Sequence, residues 1–207
     1  SIADFTEQDR IAIAGVKVSS QATTLQLAAA QSLGSDNWSA LDHLTVNMGH
    51  PTGMQLLLQE GSAITAHFAS PPFQYQELKH PGVRTVLNSY DVWGGPQTFV
   101  LAWTTSKFHD QNPKMYAAFL SALKRATDYI NDHRREAVTI YLQMTHDSTT
   151  PASELVAMLG DPQLRYTLTP QNVVKFARFK AHARATDARL ESWKDLFFTE
   201  IHGLPGS

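Results

Sequence analysis

Between residues 11 and 89 the chain repeats one pattern: a short apolar run, a turn-forming pair, then a longer amphipathic run. A strand that is apolar throughout, followed by a helix and then another such strand, is the signature of a parallel sheet wound with helices, because parallel strands need a crossover between them. Residues 11–15 read as a buried strand, after which Ser19-Ser20 offers an N-cap for a helix carrying Leu25, Leu27 and Ala30 and stopped by Gly34. Residues 43–47 read as the second strand, and Gly49-His50-Pro51 turns into a helix with Met54, Leu57 and Leu58, ended by Gly61. Residues 63–68 make the third strand, with Ser70-Pro71-Pro72 opening a short helix that bears Phe73 and Tyr75. After Pro81-Gly82, residues 83–87 read as a fourth strand.

Gly94-Gly95-Pro96 lies within a turn-rich stretch, residues 88–96, which reads as a hinge or domain crossing. Beyond it the character changes. One strand, 98–104, is followed by helices only, at 113–133, 134–143, 151–159 and 170 to about 184. Three of these start at proline, and Thr150 and Thr169 stand as caps before two of them. A lone strand with four helices lacks the sheet neighbours its backbone groups need, so some partner sheet is missing. Trp103, Phe108, Tyr116, Phe119, Tyr129 and Tyr141 fall at core-facing spacing.

Composition narrows the function. With 207 residues, 43% of them hydrophobic, the chain can bury a sizeable core. A net charge of -2 leaves no basic excess to neutralise a phosphate backbone, so nucleic acid is not an expected partner. Lys175, Arg178, Lys180, Arg184 and Arg189 read as a solvated helix face. With no cysteine there is no disulfide, thiolate zinc site or cysteine nucleophile, and both periplasm and cytosol remain open. No apolar run approaches the roughly 18 residues of a membrane span. The first residue is Ser1 with no leader pattern after it, so any targeting segment is expected to lie upstream or to have been removed.

In a wound sheet, ligands sit at the carboxyl ends of the strands, beside helix N-termini. That rule selects Ser19, Ser20 and Gln21 after the first strand, where hydroxyls and free backbone N–H groups can hold an anion; ordinary capping by Ser20 is the alternative. After the third strand it selects His67, Phe68 and Ser70, an imidazole, a ring and a hydroxyl together. Strand alternation allows His67 to be a core position instead, and Ser70 to be a cap. His50, after the second strand, is the weaker histidine candidate. Trp93, beside the hinge glycines, is either one wall of an inter-domain cleft or a packing residue. The nine histidines never fall in i, i+4 pairs, so no metal site is expected, and neither a phosphate loop, a nucleophile elbow nor paired carboxylates at strand ends are found.

The stretches IAIAGVKVSSQATTLQL (11–27), ITAHFASPPFQYQEL (64–78), VLNSYDVWGGPQTFVLAWTTSKF (86–108), NPKMYAAFLSALKRATDYIN (112–131) and SWKDLFF (192–198) together resemble, in order, nitrate/sulfonate/taurine-type substrate-binding proteins of ABC importers. The resemblance implies a periplasmic binding protein type II fold, α/β, with two doubly wound lobes joined by a hinge. It implies that residues 1–90 are the second lobe, 91–97 the hinge crossing and 98–207 the returning part of the first lobe. The beginning of that first lobe, roughly a hundred residues, is then expected to precede Ser1, which explains the missing strand partners. It further implies a periplasmic, non-enzymatic solute carrier with no cofactor, which captures a small organic anion and delivers it to an ABC permease in the inner membrane. Ser19, Ser20 and Gln21 would bind the anionic head, with His67, Phe68, Ser70 and Trp93 lining the cleft. Lys17 is the one cation near a strand end, which favours a singly charged organic acid over sulfate. The resemblance also admits two alternatives. One is an enzyme of the branch that makes the thiamine pyrimidine precursor, although that branch uses a cysteine-rich iron motif; the other is a ligand-sensing module.

Overall fold

The computed structural model describes residues 1–148, 150–183 and 190–207. Arg184 and Arg189 of the basic stretch lie outside the described residues. The chain divides into two compact units, the first Ser1–Gln97 with Asn172–Ser192, the second Thr98–Gln171 with Trp193–Ser207. The block expected at 98–207 is therefore not one piece, because residues 172–192 return to the first unit.

The first unit is α/β. Its sheet has three parallel strands, β1 (Ile11–Ile13), β2 (Thr45–Asn47) and β3 (Ala66–His67), in the order β2-β1-β3. Ile11 is registered against Thr45 on one side and Ala66 on the other. As the central strand, β1 is covered on both faces, which is why it needs three apolar residues in a row, all buried. The chain passes from β1 to one edge and then back over β1 to the other, and crossovers between parallel strands are right-handed as a rule. This puts α1 (Ser20–Leu33) and α2 (His50–Leu57) on opposite faces.

Helix α1 is buried nearly all round, and its small residues allow that: Ala22, Thr23, Thr24, Ala28 and Ala29 let neighbours approach closely. Trp93, on the one-turn helix α4 (Ser89–Trp93), donates its indole N–H to Thr24 Oγ1 at 3.0 Å. Gln31 Nε2 donates to the Val92 carbonyl, which ties α1 to α4 a second time. Returning to this unit, helix α9 (Val173–Ala183) packs Phe176 on Trp93, and Lys175 Nζ donates to the Trp93 carbonyl. On the other face, α2 packs against the short helix α3 (Phe73–Glu77). The core joins Ile2, Ile11, Leu25, Leu41, Leu44, Val92 and Trp93.

Two expected strands are not strands. Residues 83–87 form no ladder, and the turn-rich stretch after them contains α4, capped by the Asn88 side chain on Tyr90 N–H and closed by left-handed Gly94. Residues 98–104 run without regular structure; Thr98 N–H donates to the Gln171 carbonyl, but among the described residues no strand pairs with this stretch. Apolar composition makes a strand only where another strand supplies backbone partners.

Taken by itself, the second unit is helical: α5 (Ser106–Gln111), α6 (Pro113–Asp132), α7 (Arg134–Thr145) and α8 (Ala152–Met158). Asn112 precedes Pro113 at the start of α6, and His133, at φ -127° and ψ 54°, breaks α6 from α7. Thr150 does not cap α8 but bonds back to Asp147 through both its N–H and its hydroxyl. Nor does α9 start at residue 170: Asn172 is left-handed at φ 52°, which bars the helix from extending upstream, and its side chain donates to the Pro96 carbonyl. The aromatic residues expected in this unit's core are largely exposed, with Trp103 at 87% and Phe119 at 51%, because the helices have no sheet to cover. Tyr116 is the half-buried exception, beside His109 and Phe198.

Candidate functional site

At the carboxyl end of β1, the turn passes through Gly15 and Lys17, both at positive φ, and delivers Ser19 to the start of α1. Gly15 N–H donates to Asn47 Oδ1 at 3.0 Å, tying this turn to the end of β2. Ser19, not Ser20, is the N-cap, its hydroxyl accepting from Ala22 N–H at 3.1 Å, while Ser20 begins the helix. Gln21 follows, 6% exposed, on the side facing the strand ends. At the end of β2, Gly49 caps α2 and His50 is its first residue. At the end of β3 stands His67, followed by Phe68 and Ser70.

These three strand ends are joined by one line of hydrogen bonds. Gln21 Nε2 lies 3.0 Å from the Phe68 carbonyl and 3.2 Å from His50 Nε2. His50 Nδ1 lies 3.0 Å from His67 Nε2, and His67 Nδ1 lies 2.5 Å from Glu77 Oε1 on α3. The His67 side chain has no exposed area and that of Glu77 has 5%, so the carboxylate has exchanged water for an imidazole. His50 is half-buried; its ring lies 5.5 Å from that of Phe73. Burial holds its pKa below the usual histidine value, and charge on His67 pushes it the same way.

Gln21, His67 and Phe68 are thus brought together, the last through its carbonyl and not its ring. Ser19 and Ser20 stand at the same helix start, and Ser70 two residues beyond Phe68. Trp93 belongs elsewhere: it is 1% exposed in the core of this unit and is a packing residue, not a cleft wall. His50, ranked below His67 on sequence, is half-buried where the His67 side chain is enclosed, and Glu77 was not singled out at all. A signal for Glu77 existed, since it is the one charged residue between Gly61 and Leu78. Among the described residues, no group of three or more His, Asp or Glu side chains converges as a metal would need.

Both helices that begin here point backbone N–H groups toward the strand ends, and the Glu77 charge is met by His67. Chemically the arrangement offers donors to an anion and an imidazole backed by a buried carboxylate. Comparison with family models, curated proteins and solved structures gives no match for this chain.

Proposed function

We propose that this chain is the solute-binding component of an ABC importer, which captures a small organic anion, a sulfonate, taurine-like or related acid, at the carboxyl ends of its parallel strands. On this reading it works in the periplasm, leaves the solute chemically unchanged and hands it to a permease in the inner membrane. The observation that carries the reading is the convergence of Gln21, His50, His67 and the Phe68 carbonyl where two helices begin. Helix N-termini attract negative charge without a cation nearby, and a wound sheet brings ligands to this end. The order β2-β1-β3 puts the switch point between β1 and β3, which is where Gln21 meets Phe68.

Thermal unfolding with and without methanesulfonate, taurine, acetate and nitrate tests it. A ligand bound only to the folded state at a hundred times its Kd stabilises by about 2.7 kcal/mol. A saturable rise in Tm with one of these, lost in Gln21→Ala, is the expected result, and no rise with any of them overturns the proposal. An enzyme of the same fold is the second reading, favoured by the Glu77–His67–His50 line, which has the form of a base held by a carboxylate. Recovery of the bound compound unchanged separates carrier from enzyme.

A further inference from the structure

The direction of every proton in the line from Gln21 to Glu77 follows from one backbone atom. The Phe68 carbonyl only accepts, so the Gln21 group facing it at 3.0 Å is the amide NH2. The same nitrogen faces His50 Nε2, which must then be the bare, accepting nitrogen of that ring. His50 therefore carries its proton on Nδ1 and donates it to His67 Nε2. His67 in turn carries its proton on Nδ1 and donates it to the Glu77 carboxylate. With both rings neutral and Glu77 ionised, every donor meets an acceptor.

An anion at His50, which is half-buried whereas the His67 side chain has no exposed area, reverses this order. An oxygen of the anion can approach His50 Nε2 only if that nitrogen bears a proton, and the neutral line has none there. Moving the His50 proton from Nδ1 to Nε2 would leave two bare nitrogens facing each other at 3.0 Å. One added proton resolves this: His67 or His50 becomes an imidazolium, the bond between the rings is kept, Glu77 still accepts, and His50 Nε2–H points at the anion. The Gln21 amide is displaced from His50 but keeps its bond to Phe68. We infer that His50 Nε2 is the ligand-facing atom of this site and that it takes an anion only together with one proton drawn from solvent.

The inference rests on the anion-binding reading above and adds the ligand atom and the proton stoichiometry. The charges that bear on it are few. Elements around His50 supply His67 from β3 and Glu77 from α3, whereas β1 and α1 contain no titratable side chain and Lys17, in the turn before α1, is exposed. A second proton on the pair is opposed, since charge on His67 disfavours charge on His50, and a single buried carboxylate balances one positive charge.

Nitrogen NMR of the histidine rings reads the arrangement directly on the unliganded chain. At pH 8, both His50 and His67 are expected to show bare Nε2 and protonated Nδ1; a neutral His50 with its proton on Nε2 overturns the inference. Titration with methanesulfonate, acetate and nitrate in buffers of different ionisation heat is expected to show uptake of one proton. Affinity is then expected to fall about tenfold per pH unit on the alkaline side, and His50→Gln, which hydrogen-bonds without titrating, is expected to flatten that slope. Binding with no proton uptake overturns the inference and leaves the proposed function standing. Absence of binding by all three anions and by taurine at every pH overturns both.

Discussion

A methyl group on Gly53 would sit 2.8 Å from His67 Nε2 and 3.0 Å from two ring carbons, closer than packed atoms tolerate. Glu77 pins that ring from the other side, so it has no room to retreat. Alanine in a helix is normally worth about 1 kcal/mol over glycine, while overpacking costs about 1–3 kcal/mol. Gly53→Ala is therefore expected to lower stability by up to about 2 kcal/mol on that balance and to move His67 off His50; urea unfolding and the histidine ring resonances check both. On α3 next to it, Gln74 Oε1 is buried without a hydrogen-bond partner. Gln74→Met is expected to gain about 1 kcal/mol by removing an acceptor that has lost its water, and a loss in thermal unfolding would show that the oxygen meets a donor.

In the second unit one histidine couples the segment after Trp193 to the helices. His109 on α5 has Nδ1 2.8 Å from Asp110 and Nε2 2.8 Å from Glu200, with its ring stacked 4.0 Å from that of Phe198. Hydrogen bonding to Asp110, then to Glu200, raises the His109 pKa, and hydrogen bonding to His109 lowers that of Glu200. A raised histidine pKa contributes stability that is complete below the unfolded value near 6.5 and is lost as pH rises through the folded one. A lowered glutamate pKa contributes above about 4.3 and is lost as pH falls through its folded value. Between about pH 4.3 and 6.5 both contributions are therefore complete. Protection of the amides around Glu200, taken relative to the intrinsic exchange rate at each pH, is expected to be highest there and lower at pH 8, with His109→Phe abolishing the difference.

Elements also mark where sequence reading succeeded. Starts at proline and strong amphipathic spacing are local, so the spans of α6, α7 and α8 were legible to within about two residues. The strands expected at 83–87 and 98–104 failed because a strand is a relation between segments, and valine or phenylalanine content does not supply the second segment. The strand-end rule selected Gln21, His67 and Phe68, which one line of hydrogen bonds joins, and passed over Glu77, because the carboxylate lies on a helix ten residues beyond His67, a distance the rule does not cover. His50 was underrated because a lone histidine carries no spacing signal, and only the fold brings it within 3.0 Å of another.

For the molecule as a whole, the described architecture is α/β with a three-stranded parallel sheet confined to the first unit, and the second unit keeps much of its apolar surface in water. Val100 is 78% and Trp103 87% exposed, with Phe99 and Leu101 between and beside them. A contiguous exposed apolar segment of this kind binds other apolar matter. The isolated chain is expected to enhance the fluorescence of an apolar dye while still folded, and Val100→Glu with Trp103→Glu to reduce that signal without lowering Tm.

The central claim is that an anion binds at the strand ends of the first unit. Backbone amide NMR during titration with methanesulfonate tests it most directly. The account expects saturable shifts centred on Ser19 to Ala22, Gly49 to His50 and Phe68 to Ser70, stronger at pH 6 than at pH 8. Shifts centred anywhere else, or none at either pH, would contradict it.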